Sequence, residues 1–349
     1  MTKLKSCTRL GLALVFALSA LGVTKGQSAP VVPPAPKAYP DAAAAAVAEH
    51  LAKAKAIAGP ELQGDYAHRC VLSQLYPART FAMQGYMLID PAKVFDNLYF
   101  VGQQGVSAWI VSTSQGLVLF DTLDNPDEAK TVIIGGMKTL GLDPQQIKYI
   151  IINHEHGDHF GGSTYIRSLV PSAPIMASKV AWAGMAAQKN APPHPGWPAE
   201  WAQLVPDRGV HDLDITDGEK FVLGDTTLNF YLTPGHAPGT ISIIFKVYDH
   251  GTPHIVAFYG GGGLPSSIND QRDQIASQTR FAELAKAAGA DIQLANHQTQ
   301  DGTLLKLDEL KYRLPGAPHP YVIGTDLVQR YFLTMAECAR VFLAREGIK

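Results

Sequence analysis

The chain has 349 residues, of which 46% are hydrophobic and 17% are charged, and its formal net charge at pH 7 is −2. This composition is typical of a globular protein with a sizeable core and excludes a fibrous or largely disordered chain. Because no basic field is present, we expect no nucleic-acid partner.

The first 29 residues follow the order of a secretory signal peptide. Lys3, Lys5 and Arg9 precede an apolar run over residues 10–23, and small and polar residues follow that run. The run is shorter than the roughly 20 residues that a membrane span needs. We therefore expect residues 1–29 to be a signal peptide and the mature protein to be periplasmic or secreted, with no other membrane association. The alternative is an uncleaved anchor.

Residues 30–90 predict a linker followed by an N-terminal helical extension. The Pro-rich stretch PVVPPAPKAYP, residues 30–40, favours an extended linker. DAAAAAVAEHLAKAKAIAG follows it and predicts a helix, with Asp41 as its N-cap and Gly59 as its end.

Residues 91–349 predict one α/β domain. VFDNLYFVG, SAWIVSTS and GLVLFDT read as a β-meander, PDEAKTVIIGGMKTLG as a helix and IKYIIIN as a buried strand. Strands, a helix and a strand then recur in EKFVLG, TTLNFYLTPG, ISIIFKV, HIVAFYG, QRDQIASQTRFAELAKAAG and DIQLANH, and residues 320–346 favour a final helix. This recurrence predicts two similar halves, with their sheets face to face and helices outside.

Three of the predicted strands end in histidine-bearing loops, INHEHGDH, TPGHAPG and ANHQTQDG. His154 and His156 are one residue apart, so an extended loop can turn both towards one metal ion, whereas Asp158 and His159 suit a second ion. Zinc favours imidazole and carboxylate ligands, and a catalytic site leaves one coordination position open. Two such ions about 3.5–4 Å apart can share a hydroxide. Each ion still needs one protein ligand, and the other two loops can supply one each.

The H-x-H-x-D-H motif after a buried strand resembles that of the metallo-β-lactamase superfamily, and most of all the third (B3) subclass of zinc β-lactamases. The resemblance runs from about Val94 to about His297. It implies a four-layer αβ/βα sandwich with two zinc ions at one edge. It also implies a first zinc held by His154, His156 and His236, and a second held by Asp158, His159 and His297.

The activity that this resemblance implies is that of an exported hydrolase. A hydroxide bridging the two zinc ions would open a cyclic amide or ester, with Asp158 as the catalytic residue that orients it. A β-lactam is the leading small-molecule substrate, and a lactone or another ester is the alternative. A less favoured alternative is a metal-binding protein without turnover. Glu155 is expected to point outward and has no assigned role.

The glycine run at residues 260–263 departs from the family pattern. Many superfamily hydrolases place a metal-bridging aspartate after the strand that corresponds to HIVAFY, and none is present here. This departure argues against the thioesterase and lactonase branches. The B3 enzymes typically carry serines in this loop to bind the drug carboxylate, a role that glycine cannot fill. We interpret the run as a tight backbone bend near the metals.

Substrate contacts are expected from two loops. The Pro-rich loop at residues 191–201 is long enough to be a binding loop or lid. Together with the glycine run it gives the candidate substrate-binding residues His194, Trp197, Gly261, Gly263 and Ser266.

The cysteines allow one disulfide. Cys7 would leave with the signal peptide, so Cys70 and Cys338 remain. An oxidising compartment permits a bond between them, and two buried free thiols are the alternative.

Overall fold

The computed structural model describes residues 35–39, 41–85, 87–188 and 212–348. The predicted signal peptide, much of the Pro-rich linker and the loop at 191–201, with His194 and Trp197, lie outside these residues. Among the helices in the described ranges, none is long and apolar enough to cross a bilayer.

The first sheet has seven strands that lie side by side in chain order. Strands β1 to β4 pair antiparallel, as the predicted meander requires, whereas β4 to β7 pair parallel. The two short strands β6 and β7 were not predicted from the sequence. The strands are β1 (Ala92–Phe95), β2 (Leu98–Phe100), β3 (Trp109–Thr113), β4 (Gly116–Phe120), β5 (Ile147–Ile151), β6 (Ile175–Ser178) and β7 (Leu213–Ile215).

The second sheet has five strands in the order β12-β11-β10-β9-β8. Its strands are β8 (Lys220–Leu223), β9 (Thr226–Leu232), β10 (Ile241–Asp249), β11 (Thr252–Tyr259) and β12 (Ile292–Ala295). Neighbours pair antiparallel except β11 and β12, which are parallel because a helical crossover returns the chain to the same end of the sheet.

The helices lie between and after the strands. Two π-helical turns, Ala67–Leu72 and Ala129–Ile134, continue helical segments, and a 3-10 turn, Pro144–Gln146, leads into β5. The α-helices are α1 (Ala44–Ala58), α2 (Gln63–Tyr66), α3 (Ser73–Leu75), α4 (Pro77–Gln84), α5 (Pro126–Glu128), α6 (Gly135–Thr139), α7 (Gly157–Phe160), α8 (Ser163–Leu169), α9 (Lys179–Gln188), α10 (Ile268–Ala288), α11 (Gln298–Asp301), α12 (Thr303–Lys311) and α13 (Thr325–Arg345).

Three apolar layers confirm the predicted αβ/βα sandwich. Between the two sheets, Phe120 of the first makes edge contacts with Phe245 and Phe258 of the second, and all three rings are buried. A second apolar cluster lies between the first sheet and its helices. A third lies between the second sheet, α10 and α13. Burying one such ring contributes about 1.5–3 kcal/mol, so the sheet interface holds the halves together.

The N-terminal helices pack against the C-terminal helix. Helix α1 begins at Ala44 after Ala43, so the prediction that Asp41 is its N-cap is wrong. Asp41 lies too far before the first helical N–H groups to accept from them. Gly59 ends the helix as predicted. Cys70 and Cys338 form the expected disulfide, which joins the first π-helical turn to α13.

Candidate metal centre

The histidine loops that follow β5, β9 and β12 meet at one edge of the sandwich. His154, His156 and His236 lie close enough for one nitrogen of each to reach a common point. Each pair of these rings has centroids 4.7 Å apart and nearly perpendicular planes. The Nε2 atom of His154 is 3.1 Å from Nδ1 of His156. Three imidazoles arranged around one point are suited to a tetrahedral ion with one open position.

A second donor set lies beside the first. The Nε2 atom of His159 is 3.3 Å from Oδ2 of Asp158 and 3.2 Å from Nε2 of His297. The His297 Nε2 atom is in turn 3.5 Å from the same carboxylate oxygen. The structure therefore brings all six predicted ligand residues together. His154, His156 and His236 form one group of three donors, and Asp158 and His159 form another with His154, with His297 next to them.

The other ring nitrogen of four histidines is held by an acceptor. Nδ1 of His154 lies 2.7 Å from the Gly260 carbonyl, and Nδ1 of His236 lies 3.1 Å from the Gly263 carbonyl. Nδ1 of His297 lies 2.8 Å from the Gly105 carbonyl. Because a carbonyl only accepts, each Nδ1 carries the proton and each Nε2 presents its lone pair to the centre.

Asp121 holds the fourth ring. Its Oδ2 atom is 2.9 Å from Nδ1 of His159, and its Oδ1 atom accepts from the Asn153 N–H at 2.9 Å. Asp121 has φ of 59°, an unusual conformation for a residue other than glycine. Such strain is found at sites where the surrounding structure fixes the backbone. Here it aims the carboxylate at the motif loop.

Burial and charge give the two donor sets different protonation. Burial, reinforced by neighbouring imidazoles, lowers the pKa of His154 and His236, and burial also lowers the pKa of His297. These rings are neutral at pH 7, as metal binding requires. Burial opposes the charged forms of Asp158 and His159 as well. Their mutual attraction outweighs it, lowering the pKa of Asp158 and, together with Asp121, raising the pKa of His159 to about 10.

The donor chemistry fits two divalent transition-metal ions. Five imidazoles and one carboxylate are the ligands that zinc prefers, and the oriented Nε2 atoms would otherwise be a cluster of buried lone pairs. When an ion binds, the His159 ring would release the proton that it shares with Asp158. His156, Asp158 and His236 are partly exposed, so the centre is open on one side.

The glycine run lies directly against the first donor set. A Cβ atom on Gly261 would lie 2.9 Å from Cδ2 of His236, and one on Gly263 would lie 2.6 Å from its Cε1 and Nδ1. A Cβ on Gly262 would meet the Gln300 side chain at 2.0 Å. The predicted tight bend is therefore required by packing. A serine at 261 or 263 would meet the His236 ring, which fills that space.

Glu155 does not point outward, contrary to the sequence prediction. It is 7% exposed, and both of its carboxylate oxygens accept from the Gly239 N–H, at 3.1 and 3.2 Å. Burial raises the pKa of this carboxyl. Gly239 lies three residues after His236. Glu155 therefore connects the loop that carries His154 and His156 to the loop that carries His236.

The remaining sequence candidates have other environments. Ser266 is exposed. Ser267 accepts from the Asp270 N–H and caps α10. Among the described histidines outside the centre, His50 contacts Glu337 at 2.8 Å and His254 contacts Asp291 at 2.6 Å.

The hydrogen-bonding groups around the ligands were not predicted from the sequence. Asp121 left a signal, because it follows a buried strand in the same way as the motif loop does. Asn296, whose amide donates to the Gly260 carbonyl at 2.6 Å, directly precedes a predicted ligand. The carbonyl acceptors left no signal, since every residue has a carbonyl.

Comparisons with known proteins find similarity to one superfamily. A family model of the metallo-beta-lactamase superfamily matches residues 101–249. The crystal structure of BJP-1, a subclass B3 metallo-beta-lactamase of Bradyrhizobium japonicum, is 28% identical to this chain. The match covers 72% of this chain and 92% of the BJP-1 chain, with a TM-score of 0.59.

Two curated relatives match shorter stretches. Lactamase-like protein vrtG of Penicillium aethiopicum is 27% identical over 38% of this chain and 34% of its own length. N-acyl homoserine lactonase AttM of Azorhizobium caulinodans is 24% identical over 46% of this chain and 61% of its own length. The match to each thus spans less than two thirds of the relative.

Proposed function

We propose that this chain, a protein of the metallo-beta-lactamase superfamily, is an exported hydrolase that uses two zinc ions to open a cyclic amide, with a β-lactam as the leading substrate. The observation that carries the proposal is the pair of adjacent donor sets, His154 with His156 and His236, and Asp158 with His159 and His297. When bound, such ions supply Lewis acidity that polarises a carbonyl and produces a nucleophile from water at neutral pH.

The residues of the chain have separate tasks in this reaction. The carbonyls of residues 260 and 263 keep His154 and His236 in the metal-binding tautomer. Asp121 does the same for His159. Asp158, at the open side of the centre, is the carboxylate placed to orient a water molecule. Together these contacts fix the site before any ligand arrives, so little reorganisation accompanies the reaction.

The glycine run predicts that β-lactam substrates bind weakly. Gly261 and Gly263 offer no hydroxyl to a substrate carboxylate, and a hydrogen bond to a charged group contributes about 1.5–3 kcal/mol. Compared with an enzyme that has serines in this loop, we expect a KM at least tenfold higher and a similar kcat. The reason is that a bond to the substrate carboxylate stabilises the bound substrate and the transition state about equally. A micromolar KM for carbapenems or cephalosporins would contradict this expectation.

Lactone or ester hydrolysis is the second candidate. The similarity to N-acyl homoserine lactonase AttM supports it. Against it stands the sequence Tyr-Gly-Gly-Gly-Gly-Leu at residues 259–264, which lacks a carboxylate to bridge the metals.

The deciding experiment is turnover of the zinc-loaded protein on a panel of β-lactams, lactones, phosphodiesters and sulfate esters. We expect β-lactam hydrolysis that stops on chelation and returns when zinc is added. Turnover of lactones alone would make the second candidate correct. Inactivity towards all four classes, in protein that holds two zinc ions, would favour a metal-binding protein without turnover.

Export is part of the proposal. The signal-like order of residues 1–29 supports it, and so does the Cys70–Cys338 disulfide, a bond that persists in oxidising compartments. Mass spectrometry of the mature N-terminus in the native host would test it, and retention of Met1 would contradict it.

A further inference from the structure

We infer that Gln103 and Asp124 are positioning residues for His297, and that they act through the backbone of Gly105. The inference rests on the proposed function only in taking His297 as a ligand of the second metal ion. It concerns which residues outside the donor sets determine how tightly that ion is held.

Three hydrogen bonds connect Asp124 to the His297 ring. The Gln103 amide donates from Nε2 to Oδ2 of Asp124 at 2.9 Å. The Gln103 Oε1 atom accepts from the Gly105 N–H at 3.1 Å. The Gly105 carbonyl accepts from Nδ1 of His297 at 2.8 Å. The glutamine amide is thus used at both ends and can adopt only one orientation.

Burial keeps these three hydrogen bonds in one arrangement. Gln103 is 2% exposed, Asp124 is 6% exposed and His297 is 6% exposed. A buried amide without its partners costs about 1–3 kcal/mol, so the Gln103 side chain does not readily leave this arrangement. Gly105 lies between two residues of irregular backbone, and no strand hydrogen bond fixes its carbonyl among the described residues. The Gly105 N–H is anchored by the Gln103 side chain, and the turn is closed by a hydrogen bond from the Gln103 N–H to the Val106 carbonyl, so together they limit where the Gly105 carbonyl can point.

In the part of the chain that the structure describes, Nδ1 of His154 and Nδ1 of His236 have acceptors other than the Gly105 carbonyl. Those acceptors are the carbonyls of Gly260 and Gly263 in the glycine run. A disturbance at Gln103 or Asp124 should therefore weaken one metal site and leave the other unchanged. General destabilisation of the protein would weaken both.

Asp124 has to accept a hydrogen bond, but it does not have to be charged. Its Oδ2 atom accepts from the Gln103 amide, a role that needs an oxygen acceptor of this shape and not a charge. The asparagine side chain has the same shape and carries such an acceptor oxygen. Asp124→Asn should therefore keep the function that Asp124→Ala removes.

The test measures two zinc affinities per chain by competition with a chromophoric chelator. For Gln103→Ala and Asp124→Ala we expect the zinc affinity of the site that contains His297 to fall tenfold to 100-fold. This is the usual effect of removing a residue that orients a metal ligand. The other ion should change less than threefold. Asp124→Asn should resemble the wild type. Gln104→Ala, the same truncation one residue along, is the matched control and should leave both affinities unchanged.

The affected site is identified in the Asp158→Ala background, where only the first site remains. Adding Gln103→Ala there should not change the remaining affinity. The inference is overturned if both sites weaken together with a fall in the melting temperature of the metal-free protein, if neither changes, or if the wild type binds fewer than two ions. Two zinc ions without any turnover would instead refute the proposed function and leave this result standing.

Discussion

Asp158 lies between two imidazoles, 3.3 Å from His159 and 3.5 Å from His297, and is the only carboxylate in the two donor sets. Asp158→Ala should reduce the zinc content from two ions per chain to one and remove most activity, because two neutral rings alone hold the second ion poorly. Elemental analysis with circular dichroism checks this expectation. Two ions in well-folded Asp158→Ala protein would show that the second site is elsewhere.

Gly263 shows how closely the backbone approaches a ligand. A serine there would place Cβ 2.6 Å from the His236 ring, so Gly263→Ser should displace that ring, weaken the first zinc ion and raise KM. Gly64→Ser is the control, since nothing lies within 4 Å of a Cβ at that position. Chelator competition on the two variants measures the effect. Unchanged affinity in Gly263→Ser would mean that the loop can move away from His236.

At the scale of elements, Glu155 joins three parts of the fold. Its carboxylate accepts from Gly239, and a Cβ on Gly184 of α9 would lie 2.5 Å from its Cγ atom. Glu155→Ala leaves the buried Gly239 N–H without an acceptor, which costs about 1–3 kcal/mol. We expect a lower free energy of unfolding and a weaker first zinc ion, because the His236 loop loses its tie.

Glu155→Gln is the matched variant, since its amide oxygen can still accept from the Gly239 N–H. Urea unfolding of the metal-free proteins should rank wild type and Glu155→Gln above Glu155→Ala. Equal unfolding midpoints for all three would show that the carboxylate does not stabilise this junction.

The ligands could be predicted from the sequence because metal chemistry restricts them to a few residue types at strand ends, as His154 and His297 show. The sheets could be predicted because β-branched and aromatic runs alternate with glycine turns. What surrounds the ligands could not be predicted. Glu155 is next to two ligands in sequence, but its burial depends on Gly239, which arrives from the other sheet.

For the molecule as a whole, the disulfide connects residues 268 apart and joins the N-terminal helices to α13. Closing so long a loop contributes nominally about 5 kcal/mol in the chain-entropy account. Cys70→Ala with Cys338→Ala should therefore lower the free energy of unfolding by several kcal/mol while the folded protein keeps two zinc ions. Denaturant unfolding with and without reductant measures this.

The double variant supplies its own control, because reductant should change only the wild type. Thiol counting in the denatured, non-reduced mature wild type should find no free thiol. Two titratable thiols, or equal unfolding midpoints for the two proteins, would contradict the stabilising role of the bond.

The partners of the ligand histidines make the two metal sites unequal under mutation. Three of the four held rings donate to main-chain carbonyls of residues 260, 263 and 105, atoms that no side-chain substitution removes. The fourth, His159, depends on the carboxylate of Asp121. A single codon change at Asp121 can therefore remove the acceptor that holds a ligand of the second ion, whereas the carbonyl acceptors of His154 and His236 are lost only if the backbone moves. Descendants of this protein that came to work with one metal ion would be expected to have kept the first.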